Sequence, residues 1–166
     1  MLYAAIAIAI ILLIIGLRRM YVFPGYKDTL VIATGKRIRL KRHGGAFVIP
    51  LIQKAYEIDL HPFYVHADEA YSAADGDIRI NWTAAIAIDD TNLWYILDNG
   101  YNAVVHETQN IVERWVREVT SWTKRDDIVM KMYAFSRQIE KYACQELADK
   151  GLIVAAINLH DFSFKE

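Results

Sequence analysis

The chain has 166 residues, 54% of them hydrophobic and 12% aromatic, with 19 basic and 20 acidic side chains for a formal net charge of −1. A near-neutral balance excludes a uniformly basic nucleic-acid binder, and the single cysteine, Cys144, excludes an internal disulfide framework. The polar part of the chain is long enough to bury one sizeable core.

From Leu2 to Leu17 there is no charged side chain, and ten of the sixteen positions are Leu or Ile. As a helix this run spans roughly 24 Å, close to the hydrocarbon thickness of a bilayer, and Met1 and Met20–Val22 extend it. No Lys or Arg precedes the run and no small-x-small cleavage site follows it, so an uncleaved anchor is predicted over residues 1–20 rather than a signal peptide. The lipid-facing set is Leu2, Tyr3, Ile6, Ile10, Ile11, Leu12, Leu13, Ile14, Ile15, Leu17 and Tyr21, with Tyr3 and Tyr21 at the two ends where aromatic belts form.

Arg18 and Arg19 close the run and begin a basic sector. Between Arg18 and Lys54 nine bases face one acid, whereas from Ala55 to Glu107 ten carboxylates face the single base Arg79. The positive-inside rule puts the body on the cytoplasmic side. Arg18, Arg19, Lys36, Arg37, Arg39, Lys41 and Arg42 are the residues expected against lipid headgroups, a role compatible with Arg37, Arg39 and Lys41 forming the solvated face of an edge strand.

Phe23-Pro24-Gly25 is a turn, after which Thr29–Thr34 and Arg37–Lys41 read as a hairpin about Gly35-Lys36. Gly44-Gly45 interrupts the pattern, Phe47–Ile49 resumes it, Pro50 stops pairing, and Lys54–Leu60 reads as a further strand. Strict alternation at Ile78, Ile80, Trp82, Ala84, Ile86 and Ile88 predicts a long strand with one buried face, joined through Ala73–Asp77 to a strand around Val65–Tyr71.

Beyond Asp90 the period becomes helical. Thr91–Leu97 reads as a short helix closed by Asn99-Gly100. Ile111, Trp115, Val119 and Trp122 then form a stripe widened by Val112 and Val116, with Glu113 and Arg117 paired outside it. Thr123-x-x-Asp126 has the spacing of a capping box and predicts a second amphipathic helix carrying Ile128, Met132, Phe135, Ile139, Tyr142 and Leu147 on one face. Gly151 is the expected terminator, and Ile153, Ala155, Ile157 and Leu159 predict a closing strand over Leu152–Phe164. Antiparallel strands first, then two amphipathic helices and a closing strand, make an α+β domain behind the apolar run.

Chemistry-bearing patterns are sparse. His43, His61, His66, His106 and His160 are scattered and show no His-x-x-x-His spacing; His61 and His66 lie near Asp68 and Glu69 but read as strand-surface residues. Asp89-Asp90 and Asp126-Asp127 each precede a predicted helix, where carboxylates cap free N–H groups. There is no Gly-x-Ser-x-Gly, no phosphate loop and no dinucleotide fingerprint, so no catalytic residue, cofactor or metal is assigned. Lys36–Arg42 contains no aromatic side chain, which favours phospholipid over nucleic acid as its anion.

Six stretches in order resemble the SPFH (band 7) domain of stomatins, prohibitins and flotillins. They are Val22–Tyr26 after an anchor, Gly44–Gln53, Tyr56–Leu60, Ala74–Ile80, Ile111–Val119 followed by Thr123, and Leu147-x-x-x-Gly151-Leu152. The resemblance covers residues 22–164 and is nearest in flavour to the flotillins. It implies a non-enzymatic, membrane-anchored scaffold that forms homo-oligomeric rings or cages, binds membrane lipids and organises microdomains. The alternative reading is an accessory subunit that binds and regulates a membrane protease or channel. In that family a helical coiled coil follows the domain. Here the sequence reaches Lys165-Glu166 where that helix would begin, so any ring is expected to close through domain faces and the anchor.

Overall fold

A computed structural model describes residues 20–25 and 29–164, together with Ile6 and Gly16. It comprises two compact units, Met1–Leu60 and His61–Glu166.

In the first unit, β1 (Tyr21–Val22) pairs antiparallel with β4 (Ala46–Phe47), Tyr21 opposite Phe47. A three-stranded antiparallel sheet has the order β3-β2-β5, with β2 (Thr29–Thr34) between β3 (Arg37–Lys41) and β5 (Gln53–Ile58). Thr29–Ala33 are buried because β2 is central, whereas Arg37 and Arg39 project from the edge strand into solvent. Leu30, Ile32, Ala46 and Val48 form the core of this unit, with Val22 and Ala55 packed against them. Gly45 admits no side chain: a Cβ there would lie 2.5 Å from the Tyr21 ring and 2.9 Å from that of Phe23.

In the second unit, β6 (Phe63–Ala73), β7 (Gly76–Ile88) and β8 (Leu152–Phe164) form an antiparallel sheet with β7 central. Every second residue of β7 from Ile78 to Ile88 is buried, as the alternation predicts. The inner face is covered by α2 (Tyr101–Trp122) and α4 (Met132–Ala148), while α1 (Trp94–Asn99) and α3 (Arg125–Met130) are short. Val104, Ile111, Val112, Val116 and Val119 from α2 meet Phe135, Ile139, Ala143 and Leu147 from α4 in this core. Each fully buried aliphatic side chain contributes about 1.5–3 kcal/mol. No buried side-chain nitrogen or oxygen lacks a partner among the described residues.

The two outer strands are tied to helices through their backbones. Ile157 of β8 donates its N–H to Glu140 Oε1 at 2.9 Å, and its carbonyl accepts the Ser136 hydroxyl. On β6 the carbonyl of His66 accepts from Gln109 Nε2 at 3.2 Å. Such contacts occupy backbone groups that an open sheet edge would offer to another chain.

Several expectations are corrected. The short helix starts at Trp94 rather than Thr91, because Asp89 Oδ1 accepts from the Thr91 N–H and hydroxyl and holds a turn there. The second amphipathic helix is two: Lys131, at φ −117° and ψ 33°, separates α3 from α4. Met132 is therefore exposed, while Ile128 and Phe135, seven residues apart, still share the buried side. No capping box forms at Thr123, whose hydroxyl bonds back to the Val119 carbonyl at 2.8 Å. Asp75, in the β6–β7 turn, accepts the Arg125 N–H at 2.9 Å instead.

Trp122 ends its helix 57% exposed and is not core, and Trp115 is half-buried, stacked on Tyr142 at 4.8 Å with its Nε1 donating to Glu146. In β8 the simple alternation fails. Register shifts opposite Ala85/Ile86 and Asn81/Trp82 insert Ala155 and His160 as extra residues, so Leu152 and Val154 face inward before the first shift and Ile157 and Leu159 after it.

Candidate functional site

Of the expected anchor, Leu2, Tyr3, Ile10–Ile15 and Leu17 lie outside the described residues, as do Arg18 and Arg19. Ile6 and Gly16 are helical. Among the described residues no helix is long and apolar enough to cross a membrane.

The predicted headgroup residues that are described gather on one hairpin and its exit. Lys36 lies in the β2–β3 turn, Arg37 and Arg39 point outward from β3, and Arg42 follows it, all exposed. Lys41 is half-buried and directs its ammonium group to the Gly45 carbonyl.

The same unit also carries an exposed apolar surface, of which the sequence singled out only Tyr21. Tyr21 is 46% exposed and its ring centroid lies 4.8 Å from that of Phe23, which is itself 70% exposed. Phe47, Ile49, Leu51 and Ile52 are also exposed. Only Pro50, within an apolar stretch that lacks alternation, marks Phe47–Ile52 as something other than a buried strand.

This loop has a definite internal structure. The Ile49 N–H donates to Gln53 Oε1 at 2.9 Å, and the Ile49 carbonyl accepts from the amides of Ile52 and Gln53 at 3.3 and 2.9 Å. Gln53 Nε2 reaches Thr34 Oγ1 at 3.3 Å, which fastens the loop to the end of β2. At its other end the Val48 N–H donates to the Met20 carbonyl at 2.7 Å. Leu51 has φ +76°, the left-handed region, and is the one non-glycine residue in that region among those described.

The remaining polar groups act as local ties. Glu107 binds Lys150 Nζ and the Tyr95 hydroxyl, linking α1, α2 and the end of α4; Lys150 first, then Tyr95, holds the Glu107 carboxyl below its ordinary range. Arg79 makes a bidentate pair with Asp68 at 2.8 and 2.9 Å on the outer face of the sheet and lowers the Asp68 pKa by hydrogen bonding. Asp89 is lowered by Thr91, and Asp127 by Lys131. Ser72, Ser121 and Ser136 bond to Asp77, the Glu118 carbonyl and the Ile157 carbonyl. Among the described residues no group of three or more His, Cys, Asp or Glu is placed to hold a metal ion.

The first unit thus presents two exposed surfaces, a basic edge strand and an apolar loop bonded to the residue before the first strand. The chain is similar to the flotillin-like protein FloT of Bacillus subtilis (strain 168), 26% identical over 147 residues that cover 84% of this chain and 29% of that protein. The chain therefore spans less than a third of that relative's length. The family model described as SPFH domain / Band 7 family matches residues 24–166, and the chain belongs to that family.

Proposed function

We propose that this chain is a membrane-anchored scaffold of the stomatin, prohibitin and flotillin type, held by its N-terminal apolar run with the body facing the cytoplasm. It self-associates laterally into a ring or cage that organises membrane lipids and membrane protein complexes. It carries out no chemical conversion of its own. Membership of the SPFH family supports the general role.

One observation carries the self-association. The charge partition follows the two units: Met1–Leu60 holds nine bases and three acids, a net +6, and His61–Glu166 holds ten bases and seventeen acids, a net −7. A basic unit on one protomer and an acidic unit on the next form a head-to-tail pair. Head-to-tail contacts repeat around a ring rather than stopping at a dimer. Anchoring confines the protomers to a plane, so weak individual contacts add through effective concentration.

Chemical cross-linking of the full chain in membranes at low and high salt, followed by native mass measurement in mild detergent, tests this reading. A ladder of cross-links that shortens as salt screens the exposed charges, and a large homogeneous particle, support it. An unchanged monomer at low salt overturns it. A small complex with a protease or channel subunit would instead identify the chain as an accessory regulatory partner.

A further inference from the structure

We infer that the edge of β8 beyond Ile157 is an interface with a second copy of this chain: the two edges pair antiparallel about a two-fold axis and join the second-unit sheets of both copies. This goes beyond the head-to-tail contact proposed above, because the same surface is used on both sides.

The edge is open where a helix stops covering it. On α4 the positions Ser136, Glu140 and Cys144 recur every four residues and all reach β8, at the Ile157 carbonyl, the Ile157 N–H and the Val154 carbonyl. The next position of that column, towards the start of the helix, is Met132, which has no donor to offer and is 42% exposed. Ile157 turns its N–H and carbonyl away from β7, so Leu159, two residues on, does the same, and Phe162 takes that place after the extra residue His160. Among the described residues these backbone groups of Leu159 and Phe162 have no partner.

Charge decides what covers them. On β3 Arg37 and Arg39 are exposed, and on the β6 edge Asp68 and Glu69 are exposed, so like charges would meet if either edge paired with its own copy. β8 has no such guard: His160 and Asp161 stand side by side and exposed. An antiparallel copy that sets Leu159 opposite Phe162 brings outward-turned backbone groups together. It also places His160 of one copy beside Asp161 of the other, on both sides of the axis. The edge therefore complements itself, which selects a second copy over an unrelated strand.

Apolar contact is available at the same place. Tyr133 is 70% exposed, and its hydroxyl accepts from Arg137 Nε at 3.0 Å while Arg137 pairs with Glu140 at 2.8 Å. Glu140 is the residue bonded to Ile157, so this chain of contacts holds Tyr133, with Met132, beside the open edge.

The test uses the full chain in mild detergent, in a Cys144→Ser background. Asp161→Cys places one thiol next to the axis, and Ser72→Cys, exposed on β6, is the control. After mild oxidation, non-reducing electrophoresis should show a disulfide-linked dimer several-fold more abundant for Asp161→Cys than for Ser72→Cys. Equal yields overturn the contact. A head-to-tail ring brings unlike surfaces together and cannot join position 161 to its own copy, so that outcome leaves the ring standing. Hydrogen exchange on the chain without these substitutions is the second measurement. The Leu159 and Phe162 amides should exchange several-fold more slowly than exposed loop amides, and Asp161→Lys should abolish that protection while the Ile157 amide, held by Glu140, keeps its own. Leu159 and Phe162 amides that exchange as fast as those of exposed loops overturn the inference.

Discussion

Trp82 Nε1 donates a hydrogen bond of 2.8 Å to the hydroxyl of Tyr71, across adjacent strands and inside the core of the second unit. Both side chains are buried, at 0% and 2% exposure, so neither polar group can fall back on water. The pair lets two large aromatic side chains fill the space between sheet and helices while each satisfies the other's polar atom.

Tyr71→Phe keeps the ring and removes the acceptor, leaving a buried indole N–H without a partner. We expect a loss of about 1–3 kcal/mol in chemical denaturation. A second readout distinguishes this from a packing defect. Burial pushes the Tyr71 hydroxyl up to about 12; Glu113 and Glu69 add to the rise, and the Trp82 bond opposes it. A raised folded pKa means that stability is fully present below the ordinary value of 10 and is lost as pH climbs from 10 towards 12, by on the order of 2 kcal/mol. In Tyr71→Phe this part of the alkaline slope disappears. An unchanged slope would show that another group sets it.

Gly151→Ala is predicted to be among the most damaging single-methyl changes in the second unit. The residue has φ +70°, and an added Cβ would lie 1.9 Å from the Asn92 carbonyl oxygen, a backbone atom with no rotamer to yield. The same backbone stretch is tied down by Asp89 N–H donating to the Gly151 carbonyl at 2.9 Å. Gly35→Ala is the control, since φ is +56° there but nothing lies within 4 Å of where the added methyl would sit. Thermal unfolding should show roughly 1 kcal/mol lost at Gly35, from backbone strain, and a clearly larger loss at Gly151. Equal losses would mean that the close approach to Asn92 relaxes at no cost.

Asp75→Ala removes the carboxylate that caps α3 from outside its own helix. Asp75 Oδ1 accepts the Arg125 N–H at 2.9 Å and lies 3.6 Å from the Arg125 guanidinium, while the Ala74 amide donates to the Thr123 carbonyl at 3.0 Å. The expected cost is about 0.5–2 kcal/mol, as for loss of a side-chain cap. Hydrogen exchange should localise it: amides of α3 lose protection, and those of β7 beyond the turn do not. Uniform loss across the unit would point to the hairpin rather than the cap.

What the sequence reveals of this fold follows from how local each signal is. The hairpins around Gly35 and Asp75 and the buried face of β7 are legible because a turn residue and a period of two lie within a few positions of one another. The break at Lys131 is not, because Ile128 and Phe135 are two helical turns apart and keep the period across it. Nor is the face of β8, where extra residues at Ala155 and His160 are defined only by register against β7. The cap of α3 comes from Asp75, fifty positions upstream, so a local reading settles on Thr123 instead. The basic edge is legible from charge alone, whereas the exposed loop at Leu51 reads like any buried apolar run until its partners are known.

Leu51→Asn isolates the backbone cost of holding this loop, because Leu51 sits at φ +76°. Leucine in the left-handed region costs roughly 1–2 kcal/mol, and asparagine tolerates that region far better. No folded-state packing is lost, since the leucine side chain is fully exposed. In mild detergent the variant should therefore unfold at the same temperature as the parent chain or higher. A lower unfolding temperature would show that Leu51 packs within the protein.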